Sequence, residues 1–339
     1  MRLLSVGVIG YGVVGKRRIK HILQNKKLKL RYVSDVKFKR NFTNKKIVYF
    51  KNYSDLIKSR PDITFVTLPN YLASKVTKLC LKNKIHVFCE KPPGRNVSDI
   101  KSVIKQENLD KKIKLKYGFN HRYHGSIRKA KKIINDKIFG NILNIRGVYG
   151  KSKIVTFEKN EWRSSRKKAG GGILLDQGIH MLDLINLFAG RFDNFKSFIS
   201  NKFWKYNVED SAFALMKNKS GVIASIHSTA TQWKHKFNIE ITFEKATLIL
   251  SGILSGSKSY GQEKLIILNK KNGKFYKKTF RYYKDNSWKE EIDEFTDIIL
   301  KNKKVLNGNS FQALEVMNMV KNIYNNDKEW KKKINDKKK

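Results

Sequence analysis

The sequence predicts a two-domain α/β protein: a doubly wound parallel sheet over residues 1–120, then an α+β domain with a large, largely antiparallel sheet over residues 121–339. In the first third, apolar runs alternate with stretches of helical periodicity, a pattern typical of parallel strands joined by crossover helices. From residue 211 to residue 252, strand-like runs follow one another with turn signals and no helix between them. This second pattern indicates antiparallel pairing.

The chain is strongly basic, with 73 Lys and Arg against 28 Asp and Glu and a formal net charge of +45. The lysines are spread over nearly every predicted helix and loop, without a helix-turn-helix, zinc-finger or RNP-like pattern. We therefore expect a solvated basic surface and no nucleic-acid partner. The positive electrostatic potential of this surface is compatible with an acidic substrate or cofactor. No run approaches the roughly 18 apolar residues of a membrane span, and Cys80 and Cys89 are too few for a disulfide framework. These features predict a cytoplasmic protein without a membrane partner.

The first apolar run, "LSVGVIG", ends in "GYGVVG" and leads directly into a stretch of helical periodicity. This strand, turn and helix context allows a tight turn and aims a helix N-terminus at a pyrophosphate. We therefore predict a dinucleotide site, formed by Gly10, Gly12, Val13, Val14 and Gly15.

The strand "LKLRYVSD" ends at Asp35, 20 residues after Gly15. A carboxylate there can accept hydrogen bonds from the adenosine ribose hydroxyls and would repel a 2′-phosphate, so the expected cofactor is NAD. Lys37, Lys39 and Arg40 follow closely and could neutralise that phosphate, so NADP stays open. Asp35 could also be a turn aspartate without a ligand.

The first domain continues with the strand "ITFVTLPN", a helix over 73–83, the strand "KIHVFCEK", a helix near 97–107 and the strand "IKLKYGFN". Ligands bind doubly wound sheets at the carboxyl ends of the strands, which here carry Pro69, Asn70, Glu90 and Lys91. Pro92 and Pro93 would fix the backbone that presents Lys91. The alternative is that Lys91 is one more surface lysine.

The stretch "AGGGILLDQGIHMLDLINLF" has the apolar spacing of a helix that faces a core, yet it carries Asp176, His180 and Asp183. At positions i, i+4 and i+7 these side chains share one face of a helix. His180 could be a buried core histidine, or it could be a base, since imidazole titrates near neutral pH and a carboxylate one turn away can orient it.

Substrate contacts are harder to read from the second half. The aromatic and basic candidates for sugar stacking and hydrogen bonding are Arg122, Trp162, Arg163, Trp233, Lys234 and His235. His121 and His124 could form a metal pair, but no convincing third ligand accompanies them, so we predict no metal site. The loop 255–261 could cradle a phosphate or be a hairpin tip. Two helices, near 289–301 and 310–325, precede a lysine-rich tail expected to be frayed.

Three motifs occur in order along the chain: "GYGVVG" at 10–15, "EKP" at 90–92 and "GGGILLDQGIHMLD" at 170–183. Together they closely resemble the Gfo/Idh/MocA oxidoreductase family, and the resemblance covers nearly the whole chain. It implies an N-terminal Rossmann domain that holds NAD(P), an open-faced sheet domain, and a sugar, sugar derivative or cyclitol as substrate. It also implies a homo-oligomer, a dimer or tetramer, formed through the open sheet.

The resemblance assigns Lys91 to the nicotinamide and the substrate, and Asp176 and His180 to the catalytic pair. Pro69 and Asn70 match the family's cofactor-side turn, whereas the histidine often found three positions later is Ala73 here. The expected reaction transfers a hydride between the cofactor and a secondary alcohol or ketone, with Lys91 donating to the reacting oxygen. Two alternatives are an NAD-dependent glycosidase without net redox change and a non-catalytic ligand-sensing regulator.

Overall fold

The computed structural model of the chain describes residues 3–152, 162–255 and 259–336. The chain forms two compact units, one of Met1–Asn120 with Ser287–Leu314 and one of His121–Asn286 with Glu315–Lys339. The sequence-based division assigned all of 121–339 to the second domain, whereas the segment 287–314 lies with the first unit. Core packing explains this difference, since the helix that follows residue 286 contributes buried side chains to the first unit.

The first unit contains a seven-stranded sheet in the order β3-β4-β2-β1-β5-β6-β7. All neighbouring strands are parallel except β3 and β4. Four helices alternate with these strands and leave the central strands buried on both faces, as expected for parallel strands with near-continuous apolar runs. The strands are β1 (Leu4–Ile9), β2 (Leu28–Ser34), β3 (Phe42–Asn44), β4 (Ile47–Phe50), β5 (Ile63–Val66), β6 (His86–Glu90) and β7 (Leu115–Gly118).

The second unit contains an eight-stranded sheet in the order β15-β14-β13-β12-β8-β11-β10-β9. Only β8 and β11 pair in parallel, and the remaining neighbours are antiparallel. The predicted mixture of one parallel and one largely antiparallel sheet is therefore confirmed. The strands are β8 (Ile142–Ser152), β9 (Phe192–Ser200), β10 (Ser211–Asn218), β11 (Ile223–Gln232), β12 (Lys236–Phe243), β13 (Ala246–Ser251), β14 (Glu263–Lys271) and β15 (Lys274–Tyr282).

Helices pack along the two units as the apolar periodicity requires. They are α1 (Val13–Gln24), α2 (Tyr53–Lys58), α3 (Asn70–Lys82), α4 (Val97–Glu107), α5 (Gly125–Asn135), α6 (Arg166–Ala169), α7 (Ile179–Ala189), α8 (Ser287–Leu300), α9 (Ser310–Asn326) and α10 (Lys328–Asp336). In the second unit, α5 contacts β13, β14 and β15, while α7 contacts β8 and α10 contacts β9. Among the described residues, none of the helices has the length and apolar character to cross a membrane.

One face of the eight-stranded sheet lies under these helices, and the described residues leave the other face largely uncovered. Along β10 the side chains alternate strictly, so that Ala212, Ala214 and Met216 are buried whereas Phe213 and Leu215 are exposed. We call the exposed apolar side chains on this second side the open face; they are Phe198, Phe213, Leu215 and Ile223.

The lysine-rich tail departs from its predicted frayed state, because residues 328–336 form α10. Asp327 caps this helix by accepting from the Trp330 amide, and its other carboxylate oxygen accepts from the Ile199 amide on β9. The Trp330 side chain is buried. One apolar anchor and one cap therefore order a segment whose composition suggests disorder.

Candidate functional site

The glycine-rich turn joins β1 to α1 in the first unit. Gly10 has a positive φ of 101°, and a Cβ added there would lie 2.5 Å from the Thr67 carbonyl oxygen. A Cβ on Gly15 would lie only 1.9 Å from the Gly10 carbonyl oxygen. Both glycines are therefore required by the packing of the protein itself.

Gly12 differs from these two glycines, because a Cβ added to it would meet nothing within 4 Å and its φ is −78°. Neither conformation nor internal packing requires a glycine there. Gly12 is the N-cap of α1, which has no side-chain cap and no acidic residue in its first turn. The turn thus leaves the first amides of α1, including those of Val13 and Val14, accessible to an anion, and it fits the pyrophosphate of a dinucleotide.

Asp35 follows the end of β2 and is hydrogen-bonded to the glycine-rich turn. One carboxylate oxygen accepts from the Tyr11 amide at 2.6 Å, and the other accepts from the Lys37 amide at 2.9 Å. Each oxygen keeps a second lone pair for a ribose hydroxyl. Lys37, Lys39 and Arg40 are exposed beyond it.

The other predicted cofactor-side residues lie at the carboxyl ends of β5 and β6. Since β1, β5 and β6 are consecutive neighbours in the sheet, their carboxyl ends share one edge. Pro69 is the N-cap of α3 and Asn70 is its buried first residue. Lys91 directly follows β6 and is partly exposed, and its peptide bond to Pro92 is cis.

Glu90, the last residue of β6, belongs to a buried ion cluster that the sequence does not reveal. The Arg18 Nε donates to Glu90 Oε1 at 2.6 Å, and Arg18 Nη2 donates to Glu291 Oε2 on α8 at 2.7 Å. Arg18 is fully buried, with its guanidinium 4.3 Å from the rings of both Phe88 and Trp288. Burial raises the pKa of Glu291 to about 7, although Arg18 acts in the opposite direction. The cofactor contact predicted for Glu90 stays a prediction.

The "GGG" motif of the second unit precedes a π-helical turn, Leu174–Gly178, that runs into α7. The buried Glu209 carboxylate accepts from the amides of Gly172 and Leu174 and from the Tyr324 hydroxyl, at 2.7–3.0 Å. π-helical turns inside helices occur frequently at functional sites. Here the turn carries Asp176, one turn before His180.

The three polar residues predicted to form one stripe have different surroundings. Asp176 is partly exposed and His180 is 3% exposed. Asp183 is fully buried, and its two oxygens accept from Nε and Nη2 of Arg122 at 2.8 and 2.5 Å. Burial raises the pKa of Asp183, while Arg122 lowers it. Arg122 is thus engaged in a buried ion pair, and its predicted substrate contact stays a prediction.

His180 lies against a group of rings that we call the histidine–tyrosine cluster: His121, Tyr149, His180 and Tyr260. The His121 and His180 rings stack with centroids 3.7 Å apart and an interplanar angle of 10°. His121 Nε2 lies 3.0 Å from the Tyr149 hydroxyl, which is hydrogen-bonded to the Tyr260 hydroxyl. Burial is the largest cause that raises the pKa of both tyrosines; Tyr260 and then the Asp176 carboxylate raise that of Tyr149 further, and Asp176 raises that of Tyr260, so both hydroxyls stay protonated.

His121 and His124 do not converge as a metal pair. His124 Nδ1 lies 2.9 Å from Glu263 Oε2, whereas His121 stacks on His180. Across the described ranges, no group of three or more His, Cys, Asp or Glu side chains is arranged to hold a metal ion.

The remaining substrate candidates lie in the second unit. Trp162 and Arg163 form a 3₁₀ turn in which the guanidinium lies 4.4 Å from the indole ring. Trp233 is exposed, and its carbonyl accepts from Ser152 Oγ. His235 contacts Tyr260 edge-on at 4.7 Å, and burial, followed by Lys151, lowers its pKa. Lys234 is exposed. Within the loop 255–261, residues 256–258 lie outside the described residues.

Relatives with known activities match the chain over half or more of its length. The chain is 27% identical over 188 residues to glucose-6-phosphate 3-dehydrogenase of Bacillus subtilis, covering 53% of this chain and 52% of that protein. It is 25% identical over 264 residues to myo-inositol 2-dehydrogenase of Thermotoga maritima, covering 74% and 76%. The aligned region thus spans about half the length of the first relative and about three quarters of the second.

A levoglucosan dehydrogenase structure in complex with NADH has the same fold, with a TM-score of 0.83 at 17% identity over 97% of this chain and 98% of that one. Residues 4–119 match the oxidoreductase family with an NAD-binding Rossmann fold, and residues 127–249 match the GFO/IDH/MocA C-terminal domain. These two matches cover more than half of the chain, in the order that the three sequence motifs predict. The protein is therefore a member of the Gfo/Idh/MocA oxidoreductase family.

Proposed function

We propose that the protein is an NAD-dependent dehydrogenase that acts on a secondary alcohol or ketone of a sugar, sugar nucleotide or cyclitol. The observation that carries this proposal is the Asp176–His180 pair, which the π-helical turn and α7 place one turn apart beside two protonated tyrosine hydroxyls. An acid/base group is what alcohol oxidation requires, because the hydroxyl must lose its proton as the carbon loses a hydride. The sugar and cyclitol dehydrogenases among the relatives support the substrate class.

In the oxidation direction, neutral His180 accepts the proton of the substrate hydroxyl. Asp176 orients the ring and stabilises the imidazolium that forms, since a carboxylate one turn away favours the charged state. The family resemblance assigns Lys91 to the substrate oxygen, where its ammonium would stabilise the developing negative charge. A dinucleotide held by the glycine-rich turn and Asp35 would supply the nicotinamide as hydride acceptor. In the reduction direction, protonated His180 returns the proton to the oxygen.

The cofactor preference follows from Asp35. Its oxygens can accept from ribose hydroxyls, and its negative charge opposes a 2′-phosphate that carries nearly two charges. We expect NADH to bind more tightly than NADPH when each is titrated by nicotinamide fluorescence. Equal or tighter binding of NADPH would show that Lys37, Lys39 or Arg40 determines the specificity instead.

The activity test is a panel of sugars, sugar nucleotides and cyclitols assayed for cofactor reduction. On the substrate it identifies, His180→Ala and Lys91→Met should each lower turnover by about 10²-fold or more. Asp176→Asn should also be slow or inactive without unfolding the second unit. A stable His180→Ala protein that binds NADH and turns over near the wild-type rate would exclude this mechanism. Conversion of a glycoside without net NADH formation would indicate the glycosidase alternative.

We also infer that two copies of the chain associate through the open face. Phe198 and Phe213 are cross-strand partners and are 79% and 51% exposed. The next cross-strand partner is His227, whose ring stacks on Phe213 at 3.8 Å. A second copy is the occupant that fits a cluster of exposed apolar side chains on a strongly basic protein, because isologous pairing places the apolar side chains against each other. A cytoplasmic setting stays a prediction from the sequence.

A further inference from the structure

The His121–His180 stack is tight and buried. The two ring centroids are 3.7 Å apart at an interplanar angle of 10°, and the residues are 8% and 3% exposed. His180 lies on α7, whereas His121 lies in the 3₁₀ turn Asn120–Tyr123, so the two rings come from separate elements. The stack therefore limits how the His180 ring can rotate or tilt.

His121 is itself held from two sides. Its Nε2 lies 3.0 Å from the Tyr149 hydroxyl on β8, and Tyr149 packs edge-on against Phe237 at 5.3 Å. On another side, the His124 ring meets the His121 ring edge-on at 5.5 Å. His124 is fixed by its contact with the Glu263 carboxylate, which also accepts from the Ser126 amide. Residues of β8, β12 and β14 therefore hold His121 in position, acting through Tyr149 and His124.

Two charged groups near the stacked pair, Arg122 and Glu263, have partners in the second unit. Arg122 is neutralised by Asp183, and His124 lies against Glu263. The two tyrosine hydroxyls stay protonated, and Phe237, from β12, is apolar. The Asp176 carboxylate lies near both tyrosines. Two imidazolium ions 3.7 Å apart would repel each other strongly in such a site, so the pair can readily hold one proton but not two.

We propose that His121 is a positioning residue for the acid/base group of the second unit: its ring fixes the plane of His180 and, because the stacked pair readily holds only one proton, competes with His180 for that proton as the pH falls. This inference rests on the proposed function, in which His180 must be neutral to accept the substrate proton. The Tyr149 hydroxyl is the group that holds His121 in place for this role.

The first test distinguishes the stacking of the His121 ring from the titration of its nitrogens. His121→Ala removes the stack and should lower kcat about tenfold with little change in the KM for NAD, since misplacing a catalytic group by about an ångström has effects of this order or larger. His121→Phe keeps an aromatic face and should recover most of that loss. Because Phe cannot compete for the proton that the stacked pair holds, the acid limb of the kcat profile for alcohol oxidation should move to higher pH.

A matched control uses the other stacked histidine of the second unit. His227 stacks on Phe213 at 3.8 Å and 12° on the opposite side of the sheet, and His227→Phe should leave kcat and its acid limb unchanged. A merely structural role for His121 would lower the melting temperature in both His121 variants without moving the acid limb of His121→Phe.

A second readout does not depend on any substrate. The imidazole Cε1–H signals of the seven histidines can be titrated by NMR, with the His180 signal assigned from its loss in His180→Gln. In His121→Phe the midpoint for His180 should move to higher pH, and in His227→Phe it should not. An unchanged midpoint together with wild-type kcat in His121→Ala would overturn the inference. If His180→Ala retains activity while the midpoint shifts as expected, the proposed function fails and the stacked pair stands.

Discussion

At the scale of single residues, the three glycines of the first motif are held by different constraints. Gly15 touches the Gly10 carbonyl so closely that any side chain must displace backbone, whereas Gly12 faces open space. We expect Gly15→Ala to destabilise the fold by about 1–3 kcal/mol, as overpacking does. Gly12→Ala should leave the melting temperature nearly unchanged and still weaken NADH binding, because the methyl group occupies the approach to the α1 amides.

The measurements are thermal melts and NADH titrations of both variants. A Gly12→Ala protein with wild-type NADH affinity would mean that the dinucleotide does not approach this turn. A Gly15→Ala protein with an unchanged melting temperature would mean that the turn relaxes without strain.

Residue-level prediction works here where a motif is local. The glycines and Asp35 could be located from spacing alone, because a strand, a turn and a helix follow one another within a few residues. By contrast, Arg122 and Asp183 are 61 residues apart, and neither position signals its partner. For the same reason the sequence suggested for His121 only half of a metal pair without a third ligand, and it did not reveal the stacking of His121 on His180.

At the scale of secondary-structure elements, α8 is joined to β6 and α1 through Arg18, which has one positive charge between two carboxylates. A proton on Glu291 balances this cluster, and burial raises the pKa of Glu291 from 4.5 to about 7. For an acid whose pKa is raised on folding, the stabilising contribution is present at low pH and is lost as the pH rises through the folded value. Wild-type protein should therefore lose stability relative to Glu291→Gln between about pH 5 and pH 8.

Thermal melts across this range test the ion cluster, and Glu294→Gln is the control on the same helix, since the partly exposed Glu294 pairs with Lys116 and not with Arg18. The difference in melting temperature should shift in favour of Glu291→Gln with rising pH. An unchanged difference, or a shift in the opposite direction, would show that Arg18 keeps Glu291 ionised throughout.

Helices whose apolar pattern repeats over several turns could be predicted from the sequence, whereas the short elements and the π-helical turn could not. The helices near 289–301 and 310–325 correspond to α8 and α9, because their apolar faces repeat over several turns. The short β3, β4 and α2 were not foreseen, since so few residues carry little periodic signal. The π-helical turn before α7 also has no sequence signature of its own, because the buried Glu209 that holds its start is remote in sequence.

At the scale of the whole molecule, the open face predicts self-association. Phe213→Glu combined with Phe198→Glu would place charges at its centre and should halve the mass measured by light scattering or sedimentation. Leu109→Glu is the matched control, because Leu109 is exposed to a similar degree outside the open face. Wild-type protein that is already a monomer at micromolar concentration would contradict the inferred dimer.

The charge of +45 leads to a separate expectation for the whole molecule. If the lysines form a diffuse field, retention on duplex or single-stranded nucleic acid should fall steeply with salt and vanish near about 0.15 M. Filter binding over a salt series measures this directly. Sequence-selective retention at that salt would identify a nucleic-acid partner that the sequence does not predict.

Residues 287–314 return to the first unit after the second unit, and this affects how the protein folds during translation. Domains ordinarily fold in the order in which they are synthesised, but Ile292 and Phe295 of α8 belong to the core of the first unit. That core stays incomplete until translation has passed residue 300. Nascent chains of residues 1–120 should therefore remain protease-sensitive. The cofactor-binding domain should stay incompletely folded, and accessible to chaperones, until the entire second sheet has been synthesised.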